Sequence, residues 1–236
     1  MVSIRDIEDK TMNEEKRKEA KKDILAFYIG RPLSYVLTIP FLKTNITPNQ
    51  ISLMSMVPLI VGTFIFSIST NIYLLIVGWL CFLLWNILDG VDGNVARYKE
   101  ISSPMGSVVD AMAGYAAMFL SYFVIGIVAG NYSNTLLFSP KNYIILGALS
   151  GMFVLFPRLV MHKAINTVKN GTSEHFKGRK NFGLKEMIAL NITSITGFAQ
   201  LFMLIAIVLK LADLFTLGYF IVNFVIMIIT IKKIIQ

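Results

Sequence analysis

The sequence predicts an all-α, polytopic membrane protein with six transmembrane helices and an N-terminal interfacial amphipathic helix. Three observations carry that prediction. Of the 236 residues, 55% are hydrophobic and only 15% charged, whereas soluble domains carry about a quarter charged residues. The apolar residues come in blocks of about 20, the length that crosses a bilayer. Lys and Arg sort to alternate loops between those blocks, as the positive-inside rule describes.

Two regions follow, an N-terminal segment over 1–48 and a six-helix membrane domain over 49–236. Lys10 to Lys22 is dense in Lys and Glu and reads as a solvated helix, with Glu14 and Lys18 at helical spacing. The next stretch mixes Ile24, Leu25, Phe27, Tyr28, Leu33, Tyr35, Val36 and Leu37 with Lys21, Lys22, Arg31 and Lys43. Such a segment lies along the interface, its basic residues near anionic headgroups. Pro32 and Pro40 are expected to interrupt it. Thr47-Pro48-Asn49-Gln50 reads as a helix start, with Thr47 as cap, Pro48 in the first turn and Gln50 closing a capping box.

The expected spans cover 49–68, 71–97, 104–130, 142–164, 186–209 and 213–233. Pro58 and Pro157 fall inside helices, where a membrane tolerates kinks. With the N-terminus in the cytoplasm, 20 of the 22 Lys and Arg residues lie on the cytoplasmic side, and only Lys141 and Lys210 lie outside. In a prokaryote the membrane would be the plasma membrane. Because the charges flank spans and form no soluble basic face, nucleic-acid binding is excluded. No cleavable signal is expected, since the N-terminus is polar and charged. Cys81, the single cysteine, lies in an apolar run and reads as packing. The sequons at Asn131 and Asn191 read as chance matches. The loop from Asn166 to Lys185 is expected to be mobile or to cover the site, and His175 within it carries little information.

Against this apolar background three acids stand out. Asp89 and Asp92 close the second span in Asn86-Ile87-Leu88-Asp89-Gly90-Val91-Asp92-Gly93-Asn94-Val95-Ala96-Arg97, and Asp110 follows at the start of the third. A carboxylate in a span costs roughly 3 kcal/mol on translocon scales. Asp89 and Asp92, three apart, share a helix face with Asn86, and Arg97 returns to nearly the same side. Gly106, Asp110 and Gly114 recur at four-residue spacing on the next helix. A short loop makes the two helices pack side by side, which lets the carboxylates converge. Oxygen-only ligands favour Mg²⁺ or Mn²⁺, or Ca²⁺, over zinc. Gly93 and Ala96 remove bulk so that a ligand approaches the backbone. Arg97 supplies a planar fork for a phosphate, or a counter-ion for the acids. Singly, each residue has a plainer reading: acids ending a helix in water, an Asp110–Arg97 ion pair, glycines for close helix packing. Together, at this spacing, they point to a site for a cation and a phosphorylated ligand.

The pattern Asp89-x-x-Asp92-Gly93-x-x-Ala96-Arg97, then eight residues, then Gly106-x-x-x-Asp110, resembles the signature of the CDP-alcohol phosphatidyltransferase family. Thr47-Pro48-Asn49 and the six-span topology are similar as well. The resemblance implies a transferase that moves a substituted phosphate from a CDP-linked alcohol or CDP-diacylglycerol to an acceptor hydroxyl and releases CMP. It implies Asp89, Asp92 and Asp110 as ligands of a two-metal Mg²⁺ or Mn²⁺ site, and Asp89, Gly93, Ala96 and Arg97 as the nucleotide or donor site. Arg158 and Lys163, near the end of span four with His162 beside them, become candidate acceptor-binding residues; anchoring on the positive side is the other reading. Partners would be the CDP-linked donor, an alcohol acceptor, membrane lipids and a second copy in a homodimer.

One position departs from the family pattern. Where the family carries a fourth aspartate, read as general base and metal ligand, this chain has Gly114. That weakens the second metal position and leaves Asp110 as a candidate base, beside His162 or an acceptor that arrives ionised. Gly114-Tyr115-Ala116-Ala117 also offers a small-residue surface for a dimer contact. Two other readings remain: a non-catalytic nucleotide- or lipid-binding relative, and an ion-coupled transporter. The second lacks the internal repeats that mark many transporters.

Overall fold

A computed structural model describes residues 2–101, 103–134, 137–167 and 183–235. His175 and most of the loop between Asn166 and Lys185 lie outside the described residues. The described chain is helical throughout, without strands. Five helices are long and apolar enough to cross a membrane: α4 (Pro48–Ile68), α5 (Ile72–Tyr98), α6 (Gly106–Tyr132), α7 (Pro140–Thr167) and α10 (Ala212–Ile235). Two shorter helices, α8 (Leu184–Thr193) and α9 (Phe198–Val208), bent by 45° at their junction, make a sixth crossing if the pair is counted as one span. The expected fifth span is therefore not one helix. Ser194 to Gly197 breaks it, and Gly197 opens α9 without a side-chain cap.

The start of α4 forms as its sequence dictates. The Thr47 hydroxyl accepts from Gln50 N, and the Gln50 side chain accepts from Thr47 N. The long outward faces of the spans are apolar, with Val57, Ile60, Phe64, Tyr73, Ile221 and Ile228 exposed, which suits lipid contact. Inside, one cluster joins Leu59 and Phe66 of α4, Phe82 and Trp85 of α5, Val124, Ile125 and Val128 of α6, and Met203 and Ile207 of α9. Helices α6 and α7 approach backbone to backbone. A Cβ on Gly126 would lie 2.6 Å from the Tyr143 carbonyl, and one on Gly147 would lie 2.6 Å from the Tyr122 carbonyl. Only glycine fits such a crossing.

Before the spans come α1 (Ile4–Thr11), α2 (Glu14–Ala20) and α3 (Arg31–Leu42). Pro32 and Pro40 do not interrupt the interfacial stretch, which is helical from Ile24 to Leu42. A π-helical turn, Ala26–Gly30, opens the hydrogen-bond ladder just before Pro32, where the ring would otherwise meet a carbonyl. Pro40 sits in the last turn of α3 and is accommodated there. The inner face of α3, with Ser34, Tyr35 and Thr38 buried, lies on α5. Gly90 permits the contact, since a Cβ there would come within 2.8 Å of Ser34 Cβ. Asn94 then donates to the Ser34 and Thr38 hydroxyls, each at 3.2 Å.

The segment between α2 and α3 is tied to the bend of the broken span. Asn191 donates to the Lys22 carbonyl at 2.7 Å and accepts from Ile24 N at 2.8 Å. Ser194 Oγ donates to Asp23 at 2.7 Å. The side-chain amide of Asn191 is thus engaged inside the protein.

Candidate active site

Three helix ends meet at one side of the bundle: the start of α4, the end of α5 and the start of α6. Between them is a cleft of about 630 Å³. Asp89, Asp92, Gly93, Ala96 and Arg97 of α5 line it, with Asp110 and Gly106 of α6 and Asn49 and Ser52 of α4. The residues singled out on two separate stretches of sequence therefore share one cavity. All three aspartates lie within electrostatic range of one another.

Each side chain has a local cause for its place. Asp92 is buried at 5% exposure, and the Ser52 hydroxyl donates to its carboxylate. Asp89, one turn earlier on the same face, is half-buried, whereas Asp110 is exposed. Arg97 folds back along α5, its Nε donating to the Gly93 carbonyl at 2.8 Å. A Cβ on Gly93 would lie 2.6 Å from Arg97 Nη2, so this glycine clears the path of the guanidinium. In that position Arg97 interacts with both Asp92 and Asp110.

The end of α5 is shaped by a backbone motif. Ile101 N donates to the Ala96 carbonyl at 2.9 Å and Glu100 N to the Arg97 carbonyl at 3.4 Å, with Glu100 left-handed at φ 56°. This is the Schellman pattern, built on a glutamate where glycine is usual. It turns Ile101 into the wall of the cleft. The loop continues to Ser103, whose Oγ accepts from Asn49 Nδ2 at 3.2 Å.

Not every candidate joins the cleft. Asn86, although on the Asp89 side of α5, turns to the bent span and donates to Gln200 Oε1 at 2.8 Å and the Thr196 carbonyl at 3.2 Å. Arg158 and Lys163 are exposed near the end of α7 and are outside the lining of the cleft. His162 pairs with the Tyr115 hydroxyl. Gly114 has open space, because a Cβ there would meet nothing within 4 Å. Close packing inside this chain is thus not what requires a glycine at that position.

Sequence reasoning missed Ser52 as a site residue. Its signal was available: a hydroxyl four residues after Pro48, on the turn that follows the capping box. Ser103 and Ser107, which also line the cleft, lie in a polar loop and helix start whose individual serines carry no pattern.

The donor set suits a hard divalent cation, being three carboxylates with hydroxyl and amide oxygens beside them. Among the described residues, no three His, Cys, Asp or Glu side chains are placed to enclose an ion on their own. The arrangement as a whole is that of an integral membrane enzyme handling a charged, phosphorylated ligand. Residues 45–234 match the family described as CDP-alcohol phosphatidyltransferase. The chain belongs to that family, and the resemblance of its motif is borne out. Among curated proteins no match is found. Membership makes the chain a transferase of a phosphate-linked group from a CDP-alcohol.

Proposed function

We propose that the protein transfers a substituted phosphate from a CDP-linked alcohol or CDP-diacylglycerol to an acceptor hydroxyl, in a cleft that opens to the cytoplasm. The observation that carries this reading is the shared cleft of Asp89, Asp92, Asp110, Gly93, Ala96 and Arg97. The acceptor oxygen forms a bond to the β-phosphorus of the donor. The bond from that phosphorus to the bridging oxygen breaks, and CMP leaves with the electron pair. The acceptor proton passes to a carboxylate. Asp110 is the one open to solvent and acceptor, while Asp92 is enclosed and engaged by Ser52.

Asp89, Asp92 and Asp110 would hold Mg²⁺ or Mn²⁺, which supplies charge neutralisation at the transferring phosphate. Mg²⁺ is commonly held by one or two carboxylates plus substrate phosphates, so a set of acids that does not close on itself suits the role. Arg97 orients the diphosphate through its planar fork. Gly93 and Ala96 leave room for the nucleotide. Arg158 and Lys163 serve a phosphorylated acceptor that reaches across from α7, and the protein works as a homodimer.

Purified protein with labelled donor, acceptor and Mg²⁺ should release CMP. Asp92→Asn should lower that rate by about a hundredfold or more and keep the fold. A protein that binds donor but releases no CMP with any acceptor would instead be a binding relative, the reading that Gly114 alone favours.

A further inference from the structure

The two helices that carry the acids barely meet. Asp89 and Asp92 come from α5 and Asp110 from α6, yet α5 and α6 touch each other little, and each packs on α4 instead. The spacing of the three carboxylates is therefore set by a third element. A hard cation is exacting about that spacing. Mg²⁺ takes oxygen ligands at about 2.0–2.1 Å in near-octahedral order, and a site whose supporting contacts are loose by about 1 Å fails.

The first two turns of α4 send one side chain to each acidic helix. Ser52 is 3% exposed, and its hydroxyl donates to the Asp92 carboxylate. The same hydroxyl oxygen lies 3.2 Å from the Pro48 carbonyl. It has one hydrogen to give, and the carboxylate is the stronger acceptor. One oxygen of Asp92 is thereby tied to α4, which fixes how the carboxylate faces the cleft.

Three residues earlier, Asn49 has no part in the capping of α4, which Thr47 and Gln50 complete. It reaches instead to the loop after α5, where its Nδ2 donates to Ser103 Oγ at 3.2 Å. A Cβ on Gly106 would lie 3.3 Å from both Asn49 Oδ1 and Ser103 Oγ. The two side chains thus close on the first residue of α6, a helix whose N-cap, Met105, makes no side-chain bond. Asp110 follows one turn later on the face of Gly106.

We propose that Ser52 and Asn49 are positioning residues for the cation. Ser52 fixes Asp92 on α5. Asn49, through Ser103, fixes the start of α6 and with it Asp110. The proposal rests on the reading that the three aspartates hold a divalent cation, and it names the side chains that set their spacing. Both residues line the cleft from α4, so the helix that carries no acid governs the geometry of the acids.

The probe is Mn²⁺ alone, added to the purified full chain in detergent, with the free ion counted by electron paramagnetic resonance. Without nucleotide present, contact with a donor does not enter the result. Ser52→Ala and Asn49→Ala should each raise the Mn²⁺ dissociation constant by about tenfold to a hundredfold. Asn49→Ala keeps the capping box, so its metal-free melting temperature should stay at the wild-type value, which separates lost positioning from lost fold. Ser52→Thr keeps the hydroxyl and should bind as wild type; a loss equal to that of Ser52→Ala would count against Ser52. Ser103→Ala should reproduce the loss of Asn49→Ala, and the double variant should lose no more than either, because both changes break one contact. Additive losses would mean that Asn49 meets the ion directly, and would overturn its positioning role. If the wild-type chain binds Mn²⁺ and both alanine variants bind it equally well, the proposal fails alone. A wild-type chain that takes up no Mn²⁺ removes the cation reading, and the proposal with it.

Discussion

Gly93 and Arg97 act as a pair, and their geometry separates function from stability. A methyl on residue 93 would fall 2.6 Å from Arg97 Nη2, so the guanidinium must swing away. It is the far end of a flexible side chain, and moving it is cheap. Alanine is also the better helix former by about 1 kcal/mol. Gly93→Ala should therefore leave the melting temperature unchanged or raise it. It should also lower kcat/KM for CMP release by about tenfold to a hundredfold, as expected for a displaced charge-assisted contact. Equal activity in the variant would mean that Arg97 does not touch the donor. Gly114 offers the converse experiment. Its surroundings are open and it lies one helical turn after Asp110, so an aspartate fits there. Gly114→Asp should fold normally and reduce the Mg²⁺ concentration needed for half-maximal rate. An unchanged requirement would show that the chain does not work with a weakened second cation position.

At the scale of elements, the spans and the capping box of α4 were legible because twenty-residue apolar runs and Thr47-Pro48-Asn49-Gln50 are local signals. That Asp89, Asp92 and Asp110 share a cleft has another cause than the short loop suggested: α5 and α6 touch each other little, and each packs on α4 instead. What escaped had non-local causes. The break at Ser194 to Gly197 is held by Asp23, more than a hundred residues away, and hydropathy alone reads across it. Continuity through Pro32 depends on a π turn that no composition rule announces. The α6–α7 crossing was likewise hidden, because Gly126, Gly130, Gly147 and Gly151 lie among other small residues. It yields a clear expectation. Gly147→Ala places a methyl 2.6 Å from a carbonyl and 2.9 Å from Gly126 Cα, and backbone cannot move aside as a side chain does. The variant should lose about 1–3 kcal/mol of stability, read as a lower melting temperature in detergent. A neutral result would mean that the two helices separate without penalty.

Across the whole molecule, the contacts between loops sort into two sets, one at each end of the bundle. At one end Asn134 N donates to the Lys210 carbonyl at 3.0 Å, Asp213 N to Ser133 Oγ at 3.0 Å, and Lys210 lies over the Tyr132 ring. At the other end Lys99 reaches the Thr44 carbonyl, Asn191 the Lys22 carbonyl, and Lys233 lies 3.7 Å from Glu186. The cleft opens at the second end, among the helix termini that carry 20 of the 22 Lys and Arg residues. On the proposed reading the positive-inside rule puts that end in the cytoplasm, where CDP-linked donors would be met. The orientation is testable with one background change, because Cys81 is the single cysteine. In a Cys81→Ser chain, Asn134→Cys should react with a membrane-impermeant maleimide on intact cells, and Glu14→Cys should react only after permeabilisation. Both positions are exposed, so failure to label reflects sidedness and not burial. The opposite pattern would turn the aspartate cleft outward and require the donor to be supplied from outside the cell.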